Sequence, residues 1–147
     1  MDSIDRNILK CLQSDARLSM TSLGRLIGLS QPAVTERVKR LEEQGVIKGY
    51  SAVVSNEKIG KPIVAFILFR TTTCNHFVDY CKEASQVVEC HRISGEFNYL
   101  IKVVAESISD LELFENESMK YGNSTTLISL SSPIESKPLI PNLIENI

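Results

Sequence analysis

The sequence predicts an α+β chain in two parts, three short helices followed by a β-α-β-β-α-β unit. Three observations predict it. Apolar residues recur with a helical period up to Leu41, then run in strand-like stretches from Ile63 onward. Gly28-Leu29-Ser30 separates two helical patterns in the first part. In the second part, two capped helical stretches alternate with four strand-forming runs.

Ser3 is placed to cap the first helix, whose Ile4, Ile8, Leu9 and Leu12 share a face. Asp15-Ala16-Arg17 breaks that pattern, and Ser19 opens a second helix with Leu23, Leu26 and Ile27 on one side. Gly28 ends it. Ser30 caps the third helix, where Pro32 fits the first turn because its missing N–H would have had no partner there. Val34, Val38 and Leu41 form the inner stripe, and Gly45 stops the helix. Val46 to Val54 reads as a turn and a strand, which makes the head a winged-type helix-turn-helix, and Asn56 to Pro62 reads as a linker. The expected boundaries are 1–50 for the head, 51–62 for strand and linker, and 63–147 for the second domain with a C-terminal tail.

Ile63 to Phe69 is an unbroken apolar strand. Asn75 is placed to cap a helix carrying Phe77, Tyr80, Cys81 and Ala84. Val87–Ile93 and Tyr99–Ala105 are strands joined by the turn-like Ser94-Gly95-Glu96-Phe97-Asn98. Ser109 and Glu112 suit a capping box for a helix with Leu111, Phe114 and Met119, closed by Gly122, and Ser124 to Leu130 is the last strand. That order is the ferredoxin-like βαββαβ pattern.

Charge is divided unevenly over the 147 residues: residues 1–60 carry a net +2 and residues 61–147 a net −4, giving −2 overall. A positive head on a negative body suits a localised phosphate-facing surface and not a uniform nucleic-acid coat. The four cysteines lie apart without a C-x-x-C pair, which fits a reduced, cytoplasmic chain. No apolar run approaches the roughly 20 residues that cross a bilayer, and no membrane partner is expected.

The third helix presents Gln31, Thr35, Glu36, Lys39 and Arg40 outward. Gln and Thr read base edges, whereas Lys and Arg suit phosphates. The same pattern also describes a helical hairpin with a solvated charged face. Glu36 is placed either to touch a base or to orient Arg40, four residues on. The strand Ile63 to Phe69 is apolar at both alternations, so both faces of its sheet need cover. A βαββαβ unit covers one, which leaves the other for a second copy of the chain or for the tail.

Ile4-Asp5-Arg6-Asn7-Ile8-Leu9, Asp15-Ala16-Arg17, Ile27-Gly28-Leu29-Ser30 and Glu36 through Tyr50 together resemble the Lrp/AsnC (feast/famine) transcriptional regulators, and the likeness extends over essentially the whole chain. The resemblance implies double-stranded DNA as partner, the third helix in the major groove, and sheet-to-sheet homodimers that assemble into tetramers or octamers. It also implies an effector pocket between dimers, typically for an amino acid, at a Gly-x-x-Asp-Tyr element. Gly95, Asn98 and Tyr99 stand there, with Asn98 in place of the carboxylate. A neutral amide holds an ammonium group less strongly than a carboxylate does. A plain tight turn accounts for Gly95 and Asn98 equally well.

Two alternatives share this layout: a DNA-wrapping architectural protein with little effector control, and an enzyme like the siroheme decarboxylases, in which His91 and Arg92 would serve a tetrapyrrole. No catalytic set, cofactor motif or metal spacing stands out; Cys74-Asn75-His76 and Cys90-His91 lack paired ligand spacing. Leu139, Ile140, Leu143, Ile144 and Ile147 form an apolar stripe at helical spacing, expected to dock on protein.

Overall fold

The computed structural model describes residues 1–141. They form two compact units, one of Met1–Ala52 with residues 134–141, the other of Val53–Pro133.

The first unit holds α1 (Ser3–Ser14), α2 (Met20–Ile27) and α3 (Gln31–Glu43). The cap of α1 is Asp2 and not Ser3. The Asp5 N–H donates to the Asp2 carboxylate at 2.9 Å and the Asp2 N–H to the Asp5 carboxylate at 3.2 Å, a reciprocal capping box. Ser19 caps α2 as expected, accepting from the Ser22 N–H. Ile8, Leu9, Leu12, Leu23, Val34, Val38 and Leu41 are the buried core. Each is worth about 1.5–3 kcal/mol of apolar burial. Leu26, expected among them, is 64% exposed. The buried residues of α2 are Leu23 and Gly24, which moves Leu26 off the packed side.

The strand expected over Val46 to Val54 does not form. The Val46 and Ile47 N–H groups donate to the Leu41 carbonyl at 2.9 and 3.1 Å, closing the end of α3. Beyond them the backbone pairs in no ladder, and Val53 is 92% exposed. A strand needs a neighbour for its N–H and C=O groups. The described tail, residues 134–141, contains no helix and belongs to the first unit instead of the second. Leu143, Ile144 and Ile147 lie outside the described residues.

The second unit is one antiparallel sheet in the order β2-β3-β1-β4, from β1 (Ile63–Arg70), β2 (Val87–Arg92), β3 (Tyr99–Ala105) and β4 (Asn123–Ile128). Between them run α4 (Cys74–Glu83) and α5 (Ile108–Ser118). Ala65, Ile67 and Phe69 pack with Ile101, Val103, Phe77 and Phe114 in one core. Phe77 stacks on Phe69 at 4.1 Å between ring centres. Thr73 rather than Asn75 precedes α4, and Ser107 rather than Ser109 caps α5 through the Asp110 N–H. Leu111, Phe114 and Ser118 form the buried face of α5, and Met119, five residues past Phe114, falls off it and is 67% exposed.

The intervening residues of β1 turn the other way. Phe66 pairs with Lys102 and Leu127, Leu68 with Leu100, and Val64 with Val104. Val64, Phe66, Leu68 and Leu100 are half-buried and Leu127 is 52% exposed. The two apolar alternations of β1 thus have unequal cover within one chain.

Candidate nucleic-acid interface and effector turn

The geometry of the α2–α3 turn rests on two glycines. Gly28 takes the left-handed conformation at φ 74°, and its N–H donates to the Gly24 carbonyl. The Leu29 N–H donates to the same carbonyl at 2.9 Å. A Cβ on Gly24 would lie 2.7 Å from the Leu29 carbonyl oxygen, so the chain approaches α2 too closely for any side chain there. Sequence reasoning passed over Gly24; a glycine inside a short helix was its available signal.

Held by this turn, α3 exposes Gln31, Thr35 and Lys39, spaced four apart on one ridge, with Glu36 beside them. The Thr35 hydroxyl donates to the Gln31 carbonyl at 2.8 Å, which leaves its oxygen free to accept and its methyl free for apolar contact. Lys39 lies 3.6 Å from Glu43, and both side chains are mostly exposed. Such a pair is worth little and yields readily to a phosphate.

Arg40 departs from the expected set. Its guanidinium points to Asp5 at 3.3 Å instead of to Glu36. Arg37 joins it, bonding Asp2 and Asp5 at 2.8 Å each. The N–H of Asp5 and the Arg37 guanidinium together hold the Asp2 carboxyl below the usual carboxylate range. These four side chains form a charge-balanced brace between α1 and α3, and Asp5 is buried within it. Arg40 therefore serves the frame of the head as well as its surface. Asp5, Arg37 and Arg40 stood inside the motifs carrying the family resemblance and Asp2 just ahead of them, but no local pattern pairs residues 32 or 35 apart.

At the β2–β3 turn the three expected effector residues part company. Gly95 is exposed at φ 119°. The Asn98 amide is spent on the backbone: Nδ2 donates to the Thr71 carbonyl at 2.7 Å, and Oδ1 accepts from the Thr71 N–H at 3.0 Å. The Asn98 N–H donates to the Phe69 carbonyl at 3.0 Å as well. Asn98 thus splices the turn onto the end of β1 like one more rung of ladder. Tyr99 is 5% exposed, 5.2 Å from the Phe77 ring, and burial raises its hydroxyl pKa. Only Gly95 of the three faces solvent freely.

His91 pairs with Leu100 and Arg92 with Tyr99, so strand alternation sends the two side chains to opposite sheet faces. His91 sits 3.2 Å from Glu89. Burial pushes the Cys81 thiol up to about 12, far from the reactive thiolate range. Among the described residues no three His, Cys, Asp or Glu side chains cluster to hold a metal, and no helix is long and apolar enough to cross a membrane.

A helix-turn-helix with a polar, partly basic reading face, joined to a two-layer α+β sheet domain, defines a DNA-binding regulator. Residues 1–48 match the winged helix-turn-helix DNA-binding family, and residues 64–139 match the Lrp/AsnC ligand binding domain. The chain belongs to the Lrp/AsnC family of transcriptional regulators. It is 47% identical over 132 residues to YezC, an uncharacterised HTH-type transcriptional regulator of Bacillus subtilis, covering 90% of this chain and 95% of the relative. The solved structure of B. subtilis LrpC superposes with a TM-score of 0.89 at 36% identity, over 92% of this chain and 99% of that one. The leucine-responsive regulatory protein of Escherichia coli K12 is 35% identical over 114 residues, 74% of this chain and 70% of its own.

Proposed function

We propose that this regulator reads DNA through the Gln31, Thr35 and Lys39 ridge of α3, as a homodimer joined through the open face of its sheet. The observation that carries the reading is the ridge itself, exposed on a helix whose attitude is fixed by the close Gly24–Leu29 contact. Gln31 and Thr35 supply base-edge contacts, Lys39 a phosphate contact, and Glu36 borders them. Arg40 contributes from the flank. Phe66, Leu68, Leu100 and Leu127 offer the apolar patch that a second copy would bury, and dimers of this kind build tetramers or octamers. Two heads then read two related half-sites, separated by about 10–10.5 base pairs or a multiple.

The second domain takes a small-molecule effector, an amino acid being the class that the E. coli relative's name points to. Its recognition at the β2–β3 turn uses Gly95 and neighbouring backbone, with Asn98 and Tyr99 acting as supports from behind. That the Asn98 amide is already spent on Thr71 favours a second reading, an architectural DNA-binding protein with little effector control. A non-enzymatic role in the cytoplasm completes the proposal, and the opposed directions of His91 and Arg92 weigh against a tetrapyrrole site.

Selection from random duplex DNA by the full chain tests it. Enrichment of paired half-sites supports the reading, and its absence overturns it. Repeating the selection with each common amino acid separates an effector-controlled regulator, whose enrichment changes, from the architectural form, whose enrichment stays constant.

A further inference from the structure

Of the three cations on α3, Lys39 stands in the open beside Glu43, whereas Arg37 and Arg40 lean back onto α1. What they lean on is a buried carboxylate. Asp5 is 2% exposed. One of its oxygens accepts from Arg37 at 2.8 Å, the other from the Asp2 N–H at 3.2 Å, and both accept from Arg40 at 3.3 Å. The charges explain why Arg40 stays. Arg37 bonds both Asp2 and Asp5, so one guanidinium serves two carboxylates and leaves the group with an uncompensated negative charge. Arg40 supplies the missing positive charge. Breaking up such a group at a buried carboxylate is costly, so Arg40 is held although half of its side chain lies in water. Its contacts are longer than those of Arg37, which makes it the looser member.

We propose that Asp5 is a positioning residue for DNA binding: it withholds the Arg40 guanidinium from the phosphate backbone and so limits the sequence-independent part of the affinity. A phosphate contact carries no sequence information, so each free cation on the reading helix raises affinity for every duplex alike. Arg40 follows Lys39 directly in the chain and flanks the Gln31, Thr35 and Lys39 ridge, where it meets the backbone once Asp5 lets go. Held by Asp5, it keeps only a long-range, flanking share. Glu36, one turn earlier, is no substitute for Asp5, because an exposed pair four residues apart is weak and yields to a phosphate. Asp5 thus takes, from inside the protein, the place that a DNA phosphate would take on Arg40. The inference rests on the α3 reading and adds to it a limit on how strongly the head grips DNA of any sequence.

The test is the salt dependence of binding by the full chain to a duplex of random sequence. Wild type is compared with Lys39→Ala, Arg40→Ala, Asp5→Asn, Asp2→Asn and the double variant Asp5→Asn with Arg40→Ala. Asparagine at position 5 keeps an oxygen to accept from its neighbours and removes the charge that holds Arg40. The slope of log affinity against log salt is expected to steepen by about one per bound head in Asp5→Asn and to return to the wild-type value in the double variant. Asp2→Asn makes the same change of charge with Asp5 in place, and Arg40→Ala removes a withheld cation, so both are expected to keep the wild-type slope. A merely structural role for Asp5 lowers affinity without steepening the slope, and that result overturns the proposal, as does equal steepening in Asp2→Asn. A slope shallower by about one in Arg40→Ala overturns it too, because the guanidinium then already sits on a phosphate; this arm decides alone if Asp5→Asn does not fold. Lys39→Ala separates the two readings. If its slope falls by about one and that of Asp5→Asn is unchanged, the ridge stands and the withholding is refuted. If neither changes the slope, the α3 reading fails and the withholding falls with it.

Discussion

The head and the sheet domain solve the same problem with different means. Each is too thin to close its apolar surface with its own regular elements. Among the described residues the head has seven in its core, all aliphatic, and supplements them with caps, with the Asp2, Asp5, Arg37 and Arg40 brace, and with the tail that Gln13 holds at Leu139. The sheet domain has eleven, including Phe69, Phe77, Tyr99 and Phe114, yet it leaves one face of β1 half-covered. In our account the head is finished from within the chain and the sheet from outside it. A reading head that must present one helix to DNA gains from being self-contained, whereas a dimerising domain needs an unfinished side.

The sharpest way to break this comparison is to place a charge on either alternation of β1. Ile67→Asp buries an unpaired carboxylate in the helix-covered core and costs several kcal/mol, comparable with the stability of a small domain. Phe66→Asp puts the same charge on the open face, so the fold is expected to survive while copies separate. Circular dichroism and light scattering read the two outcomes. Wild-type protein that is monomeric at micromolar concentration contradicts the external half of the account.

The next effect falls in the head. Gly24→Ala pushes a Cβ against the Leu29 carbonyl and is expected to cost about 1–3 kcal/mol, with a loss of DNA binding in proportion. Thermal melts and gel shifts on the same preparation check it.

At the turn, Asn98→Asp removes the donor to Thr71 and sets a carboxylate oxygen against the Thr71 carbonyl. The expected cost at neutral pH is about 1–3 kcal/mol. The introduced carboxyl needs its proton to donate, so its folded-state pKa is raised above the unfolded value. Stability relative to wild type should therefore recover as pH falls through that raised pKa, which denaturant melts from pH 7 to 4 would show.

The smallest effect is at the brace. The lowered pKa of Asp2 means its contribution is present above the usual carboxylate range and is lost as pH falls through the depressed value. Asp2→Asn keeps a good cap and loses the ion pair, so a change of about 0.2–1 kcal/mol is expected near neutrality, shrinking in acid.

The two regions also differed in how far they could be read from sequence. The head was legible because its determinants are local: Ser19 bonds three residues on, and Gly28 closes its own helix. What was missed there is non-local, namely Arg40 turning to Asp5 and the tail meeting Gln13. The expected strand after Gly45 failed because β-propensity supplies no partner. In the sheet domain, the succession of strands and helices followed from apolar runs, but helix starts slipped by up to two residues, since Thr73, Asn75, Ser107 and Ser109 are all plausible caps by composition. Tyr99 and Asn98 looked outward only because a turn motif names residues and not the directions of their side chains.

The most direct test of the reading ridge is the salt dependence of binding to a selected duplex by wild type, Lys39→Ala, Arg40→Ala and the pair Gln31→Ala and Thr35→Ala. Lys39→Ala is predicted to reduce the slope of log affinity against log salt by about one. Gln31→Ala and Thr35→Ala should leave the slope alone and shift sequence preference, by about 1–3 kcal/mol per lost base contact. Arg40→Ala should act chiefly on the melting of the head. Unchanged slope and unchanged preference across the Gln31, Thr35 and Lys39 variants would contradict the account and move the DNA off α3.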